Sequence, residues 1–426
     1  MTNLETQIPN LARVRAFDSV GLAGTMTEAA GRLFLTQPAI SRSVLGLERE
    51  LRTALLERTY RGASLTEEGR IFGRRTRRAF ERIDIALGVL LGLPHSADDI
   101  QRISRKLTDA HLRSLIALAR AGNFRRAAAS LGISEPSLHR SARGCERLIG
   151  APLFRRTADG IVLSRQGADL ARSFALAATE LMAGVDELAF KSGKASTSMK
   201  IGVLALAPKR LLAMAAELVS HQYPTAQLTI LEAGYDALVD RMRSGQIDFI
   251  FGALRDPSPS NDIAEESLFD DPYCIVCRTG HPLTRMPRPG RADLRQFDWI
   301  FPTPALPRRD VLDKLIQRWQ LRERVQMETD SLGVITSGLV TSDRIGLLPR
   351  GFVGAELRMG MLAALDLPVP HVRRKIGITS RAGWLPTDMH TQFLLHLRDL
   401  CRQERANPRP NGRSRAEKAR GEVRGK

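Results

Sequence analysis

The sequence lacks several features that define other classes of protein. No apolar run in its 426 residues approaches the ~18 residues of a membrane-spanning helix. The chain starts with MTNLETQIPNLARV, which has neither the charged start nor the apolar stretch of a secretory signal. Four cysteines in so long a chain are too few for a disulfide framework. We therefore expect a cytoplasmic protein without a membrane partner.

Two of the cysteines, Cys274 and Cys277, are followed by His281, a spacing that suggests a metal or redox pair. However, residues 273–278 have the pattern of a β-strand, in which positions i and i+3 point to opposite faces of the sheet. One ion could not easily collect both thiolates. The sequence therefore predicts no metal site here, and it indicates no cofactor.

Positive charge is in excess and unevenly distributed. The net charge of +18 divides into +3 for residues 1–104, +7 for 105–197, +2 for 198–401 and +6 for 402–426. A basic excess favours polyanions such as DNA, with binding that salt weakens. A solvated basic surface without a partner explains the same numbers, so charge alone does not decide between the two.

The N-terminal half contains an internal repeat. At an offset of 98 positions, residues 12–69 align with 110–167 without a gap, with 19 identities in 58 positions. The identical pairs include Pro38 with Pro136, Arg42 with Arg140, Glu48 with Glu146 and Gly69 with Gly167. Because 98 residues is the length of a small domain rather than of a solenoid unit, the repeat indicates a tandem duplication.

Each copy has the pattern of two helices joined by a tight turn. Thr36 and Ser134 lie at N-cap positions, two residues before a proline in the first turn of the next helix. In copy one that helix directs four apolar side chains inward, namely Ile40, Val44, Leu47 and Leu51. A second helix that is polar at its N-terminal end predicts a helix-turn-helix.

A wing and a long helix are predicted to follow in copy one. Residues 57–66, with Gly62 as the turn, have the pattern of a two-stranded wing whose arginines Arg58 and Arg61 can contact phosphates. Residues 67–91 predict a long helix with apolar positions at Ile71, Phe72, Phe80, Ile83, Ile85, Leu87 and Leu90. The corresponding helix of copy two is predicted over residues 168–190.

Residues 36–69 and 134–167 resemble the winged helix-turn-helix of the LysR-type transcriptional regulators. The resemblance implies a sequence-specific regulator that binds double-stranded DNA through recognition helices in the major groove, as a homodimer or homotetramer. For copy one it implies DNA contacts by Thr36, Gln37, Pro38, Ser41 and Arg42. For copy two it implies Ser134, Glu135, Pro136, Ser137, His139 and Arg140, with the wing arginines Arg155 and Arg156.

The duplication departs from the usual family plan of one such domain, and the copies differ. Copy two has Glu135 in place of Gln37, which repels phosphate unless it accepts a hydrogen bond from cytosine N4. It also has His139 in place of Ser41, yet it is the more basic copy. Copy one is favoured for base contacts. The alternative for copy two is a scaffold whose long helix serves dimerisation.

The second half begins after a small, polar, hinge-like segment at residues 192–199. Strands are predicted at 200–204, 227–232 and 247–252, and helices at 211–223, 238–245 and 389–398. The alternation predicts βαβ units in a mainly parallel sheet, which binds ligands beyond the carboxyl ends of its strands. The order resembles the two-lobed effector-binding domain of the same regulators, akin to periplasmic binding proteins. Short motifs beginning at Phe301, Ile376 and Trp384 resemble the subgroup of the galactose-binding-protein regulator.

The resemblance implies a cleft for a small-molecule effector between the two lobes. Its implied lining comprises the turn after the first strand, the loop after the third, and two loops of the second lobe: Leu206, Ala207, Pro208, Leu254, Thr303, Pro304, Asp330 and Ser331. The first turn, Ala-Leu-Ala-Pro, has no hydroxyl group, which argues against a small carboxylate held by that loop. An apolar or neutral effector, or none, remains open.

The sequence thus predicts a multidomain protein: two winged helix-turn-helix domains at residues 10–92 and 105–192, an α/β two-lobed domain at 198–402, and a basic disordered tail at 403–426. One alternative is a DNA-binding domain fused to an enzyme such as an aminotransferase. That enzyme needs a lysine near a helix start with supporting Asp and Arg residues, a setting that none of Lys200, Lys209, Lys314 and Lys375 has. A free solute-binding protein leaves the repeat unexplained. We therefore expect a regulator and not an enzyme.

Overall fold

The computed structural model describes residues 8–59, 62–92, 96–158, 160–191, 197–255, 260–304, 306–321, 325–367, 369 and 373–406. These residues form two compact units. The first contains the described residues up to Met199 together with Thr225–Gln227 and Asp240–Ile247, and the second contains the others. Within the described ranges, no helix is both long enough and apolar enough to cross a membrane.

The two copies of the repeat contain the same elements in the same order. Copy one consists of α1 (Leu11–Ala23), α2 (Met26–Leu33), α3 (Gln37–Leu51), β1 (Leu56–Thr59), β2 (Gly62–Leu65) and α4 (Glu67–Leu91). After the connecting helix α5 (Ala97–Lys106), copy two consists of α6 (Asp109–Ala121), α7 (Phe124–Leu131), α8 (Glu135–Ile149), β3 (Phe154–Thr157), β4 (Gly160–Leu163) and α9 (Arg165–Lys191). Each copy is therefore a winged helix-turn-helix followed by a long helix, as predicted.

Local interactions explain where the recognition helices begin. Thr36 and Ser134 are the N-cap residues of α3 and α8, which confirms the predicted starts. The Ser134 hydroxyl accepts a hydrogen bond from the backbone N–H of Ser137, whereas the Thr36 side chain makes no capping bond. The preceding helices end in the left-handed conformation, α2 at Phe34 with φ 53° and α7 at Gly132 with φ 65°.

One detail of the predicted first copy is wrong. Gly62 is not the turn of the wing: it pairs with Thr59 as the first residue of β2, and its φ of 137° suits glycine. Residues 60 and 61 lie outside the described residues. Ile85, one of the apolar positions of the predicted long helix, is 67% exposed, whereas Phe72 and Ile83 of the same helix are buried. Ile85 lies on the opposite face of α4 from that apolar stripe.

The C-terminal half of the chain is built on a mixed sheet flanked by helices. Its strands are β5 (Ser198–Val203), β6 (Gln227–Glu232), β7 (Phe249–Ala253), β8 (Ile263–Arg278), β9 (Trp299–Phe301), β10 (Val325–Glu328), β11 (Gly346–Pro349), β12 (Leu362–Ala364) and β13 (Arg373–Arg381). Its helices are α10 (Lys209–Gln222), α11 (Tyr235–Arg243), α12 (Pro282–Arg285), α13 (Pro307–Trp319), α14 (Leu332–Thr341), α15 (Gly354–Arg358) and α16 (Asp388–Ala406). The closing helix α16 runs to Ala406, four residues beyond the predicted end of the domain.

The strand order of the main sheet is β11-β8-β13-β7-β5-β6, with β12 also paired to β8. Strands β5 and β7 are parallel, as are β9 and β10. However, β13 is antiparallel to both β7 and β8, and β8 is antiparallel to β11 and β12. The prediction of a mainly parallel sheet is therefore wrong, because the long strands β8 and β13 connect the two lobes and run against their neighbours.

Cys274 and Cys277 lie on opposite faces of β8, as the strand pattern predicted. Cys274 packs in a core cluster with Leu339, and Cys277 packs in a different cluster with Trp299. Burial raises the pKa of each thiol to about 12. Both cysteines thus serve as buried apolar side chains.

Candidate nucleic-acid interface

The N-terminal tip of α3 forms an exposed polar surface in copy one. Thr36, Gln37 and Pro38 are exposed, and Arg42 is exposed one turn further along the same helix. The Nε of Arg42 donates a hydrogen bond to the carbonyl oxygen of Pro38 at 3.4 Å, while Ser41 is half-buried. These side chains can therefore approach a macromolecule without rearrangement of the helix.

Buried contacts hold α3 in place behind this tip. Ile40 and Leu47 are fully buried in the core. The Oε1 atom of Glu48 accepts hydrogen bonds from the backbone N–H groups of Leu55 at 2.8 Å and Leu56 at 3.1 Å. A carboxylate that accepts two backbone hydrogen bonds joins the recognition helix firmly to the first strand of the wing.

The same bond occurs in copy two, where Glu146 Oε1 accepts from the backbone N–H groups of Leu153 at 3.0 Å and Phe154 at 3.2 Å. Sequence reasoning did not assign a role to Glu48 or Glu146. Their identity across the repeat, at a position behind the recognition tip, was the signal that could have identified this bond.

The tip of α8 is also exposed, but its polar groups bond to one another. Ser134 and Ser137 hydroxyl oxygens lie 2.8 Å apart, and Arg140 Nη2 donates to the Ser137 hydroxyl at 3.0 Å. The His139 ring stacks on Phe124 with centroids 3.8 Å apart and planes at 4°. Its Nε2 is 3.7 Å from Oε1 of Glu135. Copy two thus presents a tip with fewer uncommitted polar groups than copy one.

Both wings contribute basic residues. Arg155 and Arg156 of β3 are exposed, so they are available to phosphates. Arg58 lies in β1, and Arg61 lies outside the described residues. The structure therefore places three of the four predicted wing arginines on strands that follow a recognition helix.

The predicted effector cleft begins in the first lobe with the turn after β5. Ala207 and Pro208 are buried, and Leu206 is half-buried. The carbonyl oxygen of Leu206 accepts a hydrogen bond from Arg374 Nη2 at 2.8 Å. The backbone N–H of Leu254 donates to the carbonyl oxygen of Lys375 at 2.9 Å. These first-lobe residues therefore gather around the start of β13.

The second-lobe residues lie around the ends of α13 and α14. Thr303 is half-buried, whereas Pro304, Asp330 and Ser331 are exposed. Ser331 is the N-cap residue of α14, and its backbone N–H donates to the Thr329 hydroxyl at 3.1 Å. The predicted residues of this lobe thus combine one sheltered hydroxyl with an exposed carboxylate and hydroxyl.

Two arginines that sequence reasoning missed lie among these residues. Arg374 pairs with Asp271 at 2.8 Å and lies over the Tyr273 ring at 5.7 Å. Arg308 is only 7% exposed, and its Nη2 donates to the carbonyl oxygen of Thr329 at 3.1 Å. Burial lowers the pKa of Arg308, and the charges of Tyr273 and Asp330 oppose that shift. No local pattern marks these residues, because Arg308 and Arg374 come from distant parts of the chain.

Two exposed helix-turn-helix tips followed by a two-lobed α/β domain define a DNA-binding regulator that responds to an effector. The chain belongs to the LysR family of transcriptional regulators. Residues 11–70 and 110–168 both match the family described as "Bacterial regulatory helix-turn-helix protein, lysR family", and residues 192–402 match "LysR substrate binding domain". The family resemblance of the repeat is therefore confirmed, and the alternative of a fused enzyme domain is not supported.

Relatives of this family cover between about half and nearly all of the chain. The regulator GalR of Pseudomonas putida is 27% identical over 410 residues, which are 94% of this chain and 100% of the relative. The regulator GbpR of Azospirillum brasilense is 28% identical over 208 residues, 49% of this chain and 61% of the relative. A full-length OxyR variant from Pseudomonas aeruginosa has the same fold, with a TM-score of 0.51 and 20% identity over 72% of this chain and 98% of that chain.

Proposed function

We propose that α3 of copy one makes the main base contacts, through Gln37, Arg42 and Thr36. Glutamine and arginine are the side chains that bond adenine and guanine edges in the major groove. The observation that carries this assignment is the exposed tip of α3, where the Thr36 side chain makes no capping bond. In α8 the equivalent tip has the hydroxyl of Ser134 engaged with Ser137. The wing arginines Arg58, Arg61, Arg155 and Arg156 then contact phosphates.

A footprint on the DNA beside the protein's own gene tests this proposal. We expect a protected site at low salt whose affinity falls as salt rises, because arginine contacts displace condensed counterions. Gln37→Ala should relax base preference in the part of the site that copy one contacts, whereas the matched change Glu135→Ala in copy two should leave the preference in that part intact. A chain that protects no DNA at low salt contradicts the DNA-binding assignment.

We also propose that the second half senses, rather than transforms, a small molecule with an anionic group. The cleft residues Leu206, Ala207, Pro208, Leu254, Thr303, Pro304, Asp330 and Ser331 are its proposed lining. Support comes from Arg308, a buried guanidinium whose Nε has no hydrogen-bond partner among the described residues. A buried cation of this kind is stabilised by an anion that accepts its remaining hydrogen bond. The proposed place of action is the cytoplasm, with the DNA.

A thermal-shift comparison tests the effector class. Carboxylic acids and their neutral amides are added as matched pairs to the full chain, and a ligand that binds the folded state raises its unfolding temperature. We expect acids and not amides to act, and Arg308→Gln to abolish the response. Arg318→Gln, an exposed arginine on the same helix, is the control that should retain it. Equal shifts by acid and amide contradict the proposal.

A further inference from the structure

The long helices α4 and α9 occupy equivalent places in the two copies and pack against each other. They begin at Glu67 and Arg165, which are 98 positions apart, like the rest of the repeat. Glu67 at the start of α4 pairs with Lys191 at the end of α9, and Arg82 further along α4 pairs with Glu180 nearer the start of α9. The two helices are therefore antiparallel, as two helices related by a two-fold axis perpendicular to them would be.

The contact between these helices is close and apolar. A Cβ atom on Gly184 of α9 would lie 2.9 Å from the Phe72 ring and 3.2 Å from Cβ of Arg75 on α4. Both helices contribute fully buried residues to one core cluster, namely Phe72, Ala79, Ile83 and Leu87 from α4 and Phe174, Ala177, Ala178 and Leu181 from α9. Such packing is that of a permanent interface rather than of a transient contact.

The charges within this interface have opposite signs on the two helices. Arg75 of α4, with 3% of its side chain exposed, pairs with Glu180 at 3.1 Å and Glu187 at 2.8 Å on α9. Arg78 and Arg82 also reach Glu180, at 3.2 Å and 3.4 Å. Position 82 of copy one corresponds to position 180 of copy two, so a single repeat position carries arginine in one copy and glutamate in the other.

This asymmetry determines which helices can pair. If the α4 helices of two chains packed in this way, Arg82 of one chain would replace Glu180 beside Arg75 and Arg78 of the other. If two α9 helices packed, each buried Glu180 would lose its cations. Buried charges without a partner are strongly unfavourable, and like charges face each other in both cases. The sequence therefore selects α4 with α9 over either like pair.

We propose that one chain is a complete, asymmetric DNA-binding unit that recognises two different half-sites. This inference rests on the proposed DNA-binding function. Each recognition motif is fixed at the start of its long helix, where Gly69 lies against the Leu55 carbonyl and Gly167 against the Leu153 carbonyl. Because the helices are antiparallel, the motifs lie at opposite ends of the pair. A helix of 25 residues is about 37 Å long at ~1.5 Å per residue, which matches the ~34–36 Å between half-sites one DNA turn apart.

Thiol cross-linking of the full chain tests the pairing without DNA. Glu67 and Lys191 form a partly exposed pair across the interface, and the four native cysteines are buried. The double variant Glu67→Cys/Lys191→Cys is treated with a short bismaleimide and separated on a denaturing gel. We expect an internal link that leaves the product at the mass of one chain, with none in either single variant. A product mainly of two-chain mass, or no link at all, overturns the inference.

Hydroxyl-radical footprinting on a selected DNA site tests the two half-sites. We expect the wild type to protect two segments of different sequence one turn apart. Arg42→Ala should lose protection of one segment and Arg140→Ala that of the other. If both variants lose the same segment, one chain does not recognise both. If the wild type protects no DNA while the internal cross-link forms, the proposed function fails and the pairing of the helices stands.

Discussion

Replacing Glu180 by alanine tests whether the α4–α9 interface depends on its buried charges. The Glu180 side chain is 8% exposed and accepts hydrogen bonds from Arg75 at 3.1 Å and Arg78 at 3.2 Å. Removing one partner of a buried ion pair costs about 3–5 kcal/mol, because the other charge stays buried without compensation. Because Arg75 keeps its ion pair with Glu187 at 2.8 Å, we expect Glu180→Ala to lower the free energy of unfolding by about 3 kcal/mol, the lower end of this range.

The tryptophans provide an assay that separates the two units. Trp299, Trp319 and Trp384 are the three tryptophans of the chain, and all belong to the second unit. In urea unfolding of the full chain, their fluorescence follows the second unit, whereas far-UV circular dichroism follows the helices of both units. We expect Glu180→Ala to move part of the circular dichroism transition to lower urea while the fluorescence transition stays in place.

A double-mutant cycle then decides whether the effect comes from the ion pair. Arg75→Ala and Glu180→Ala, alone and combined, should show a coupling energy of about 0.5–3 kcal/mol, because each change removes the other's partner. Glu67→Gln, at an exposed pair across the same two helices, is the control and should leave the transition unchanged. Additive effects of the two alanine changes would refute the reasoning that these charges act together.

Three further outcomes follow from buried groups. Burial raises the pKa of Asp18 from 3.8 to about 6; the folded chain therefore holds this proton more tightly, and stability falls as pH rises between these two values. Asp18→Asn should raise the free energy of unfolding by about 3 kcal/mol at pH 7. If urea unfolding gives the same difference in free energy between variant and wild type at every pH, the raised pKa of Asp18 is not its cause. In Gly69→Ala the new Cβ would lie 2.0 Å from the Leu55 carbonyl oxygen, so we expect the free energy of unfolding to fall by about 1–3 kcal/mol. The control Gly31→Ala, in open space within α2, should raise it by about 0.5–1 kcal/mol. Equal effects of the two changes would be inconsistent with the clash. The four buried cysteines, each with its pKa raised to about 12, should react with Ellman's reagent only after unfolding, and rapid reaction of the native chain would show that they are accessible.

Features set by neighbouring residues were predictable from the sequence, and features set by distant residues were not. The starts of α3 and α8 and both bounds of α4 agree with the sequence, because caps and apolar spacing act within a few positions. The antiparallel pairing of β8 with β13 joins Phe269 to Ile376, and no local pattern specifies such a pairing. For the same reason Arg308 and Arg374 were missed beside the predicted cleft residues, which family resemblance supplied and which stay predictions.

The repeat separates positions that maintain the fold from positions that distinguish the copies. Glu48 and Glu146 make the same backbone bonds to the wing, so identity there preserves a domain that must fold twice. In a symmetric dimer of single-copy chains, the same residue occupies this position on both sides of the two-fold axis. The opposite charges of Arg82 and Glu180 could therefore not both occur there. The charge difference is useful only if both copies are in the same assembly, and tandem duplication ensures that they are. Once the copies are bound to each other in this way, their recognition tips are free to differ, because neither tip has to recognise the half-site of the other.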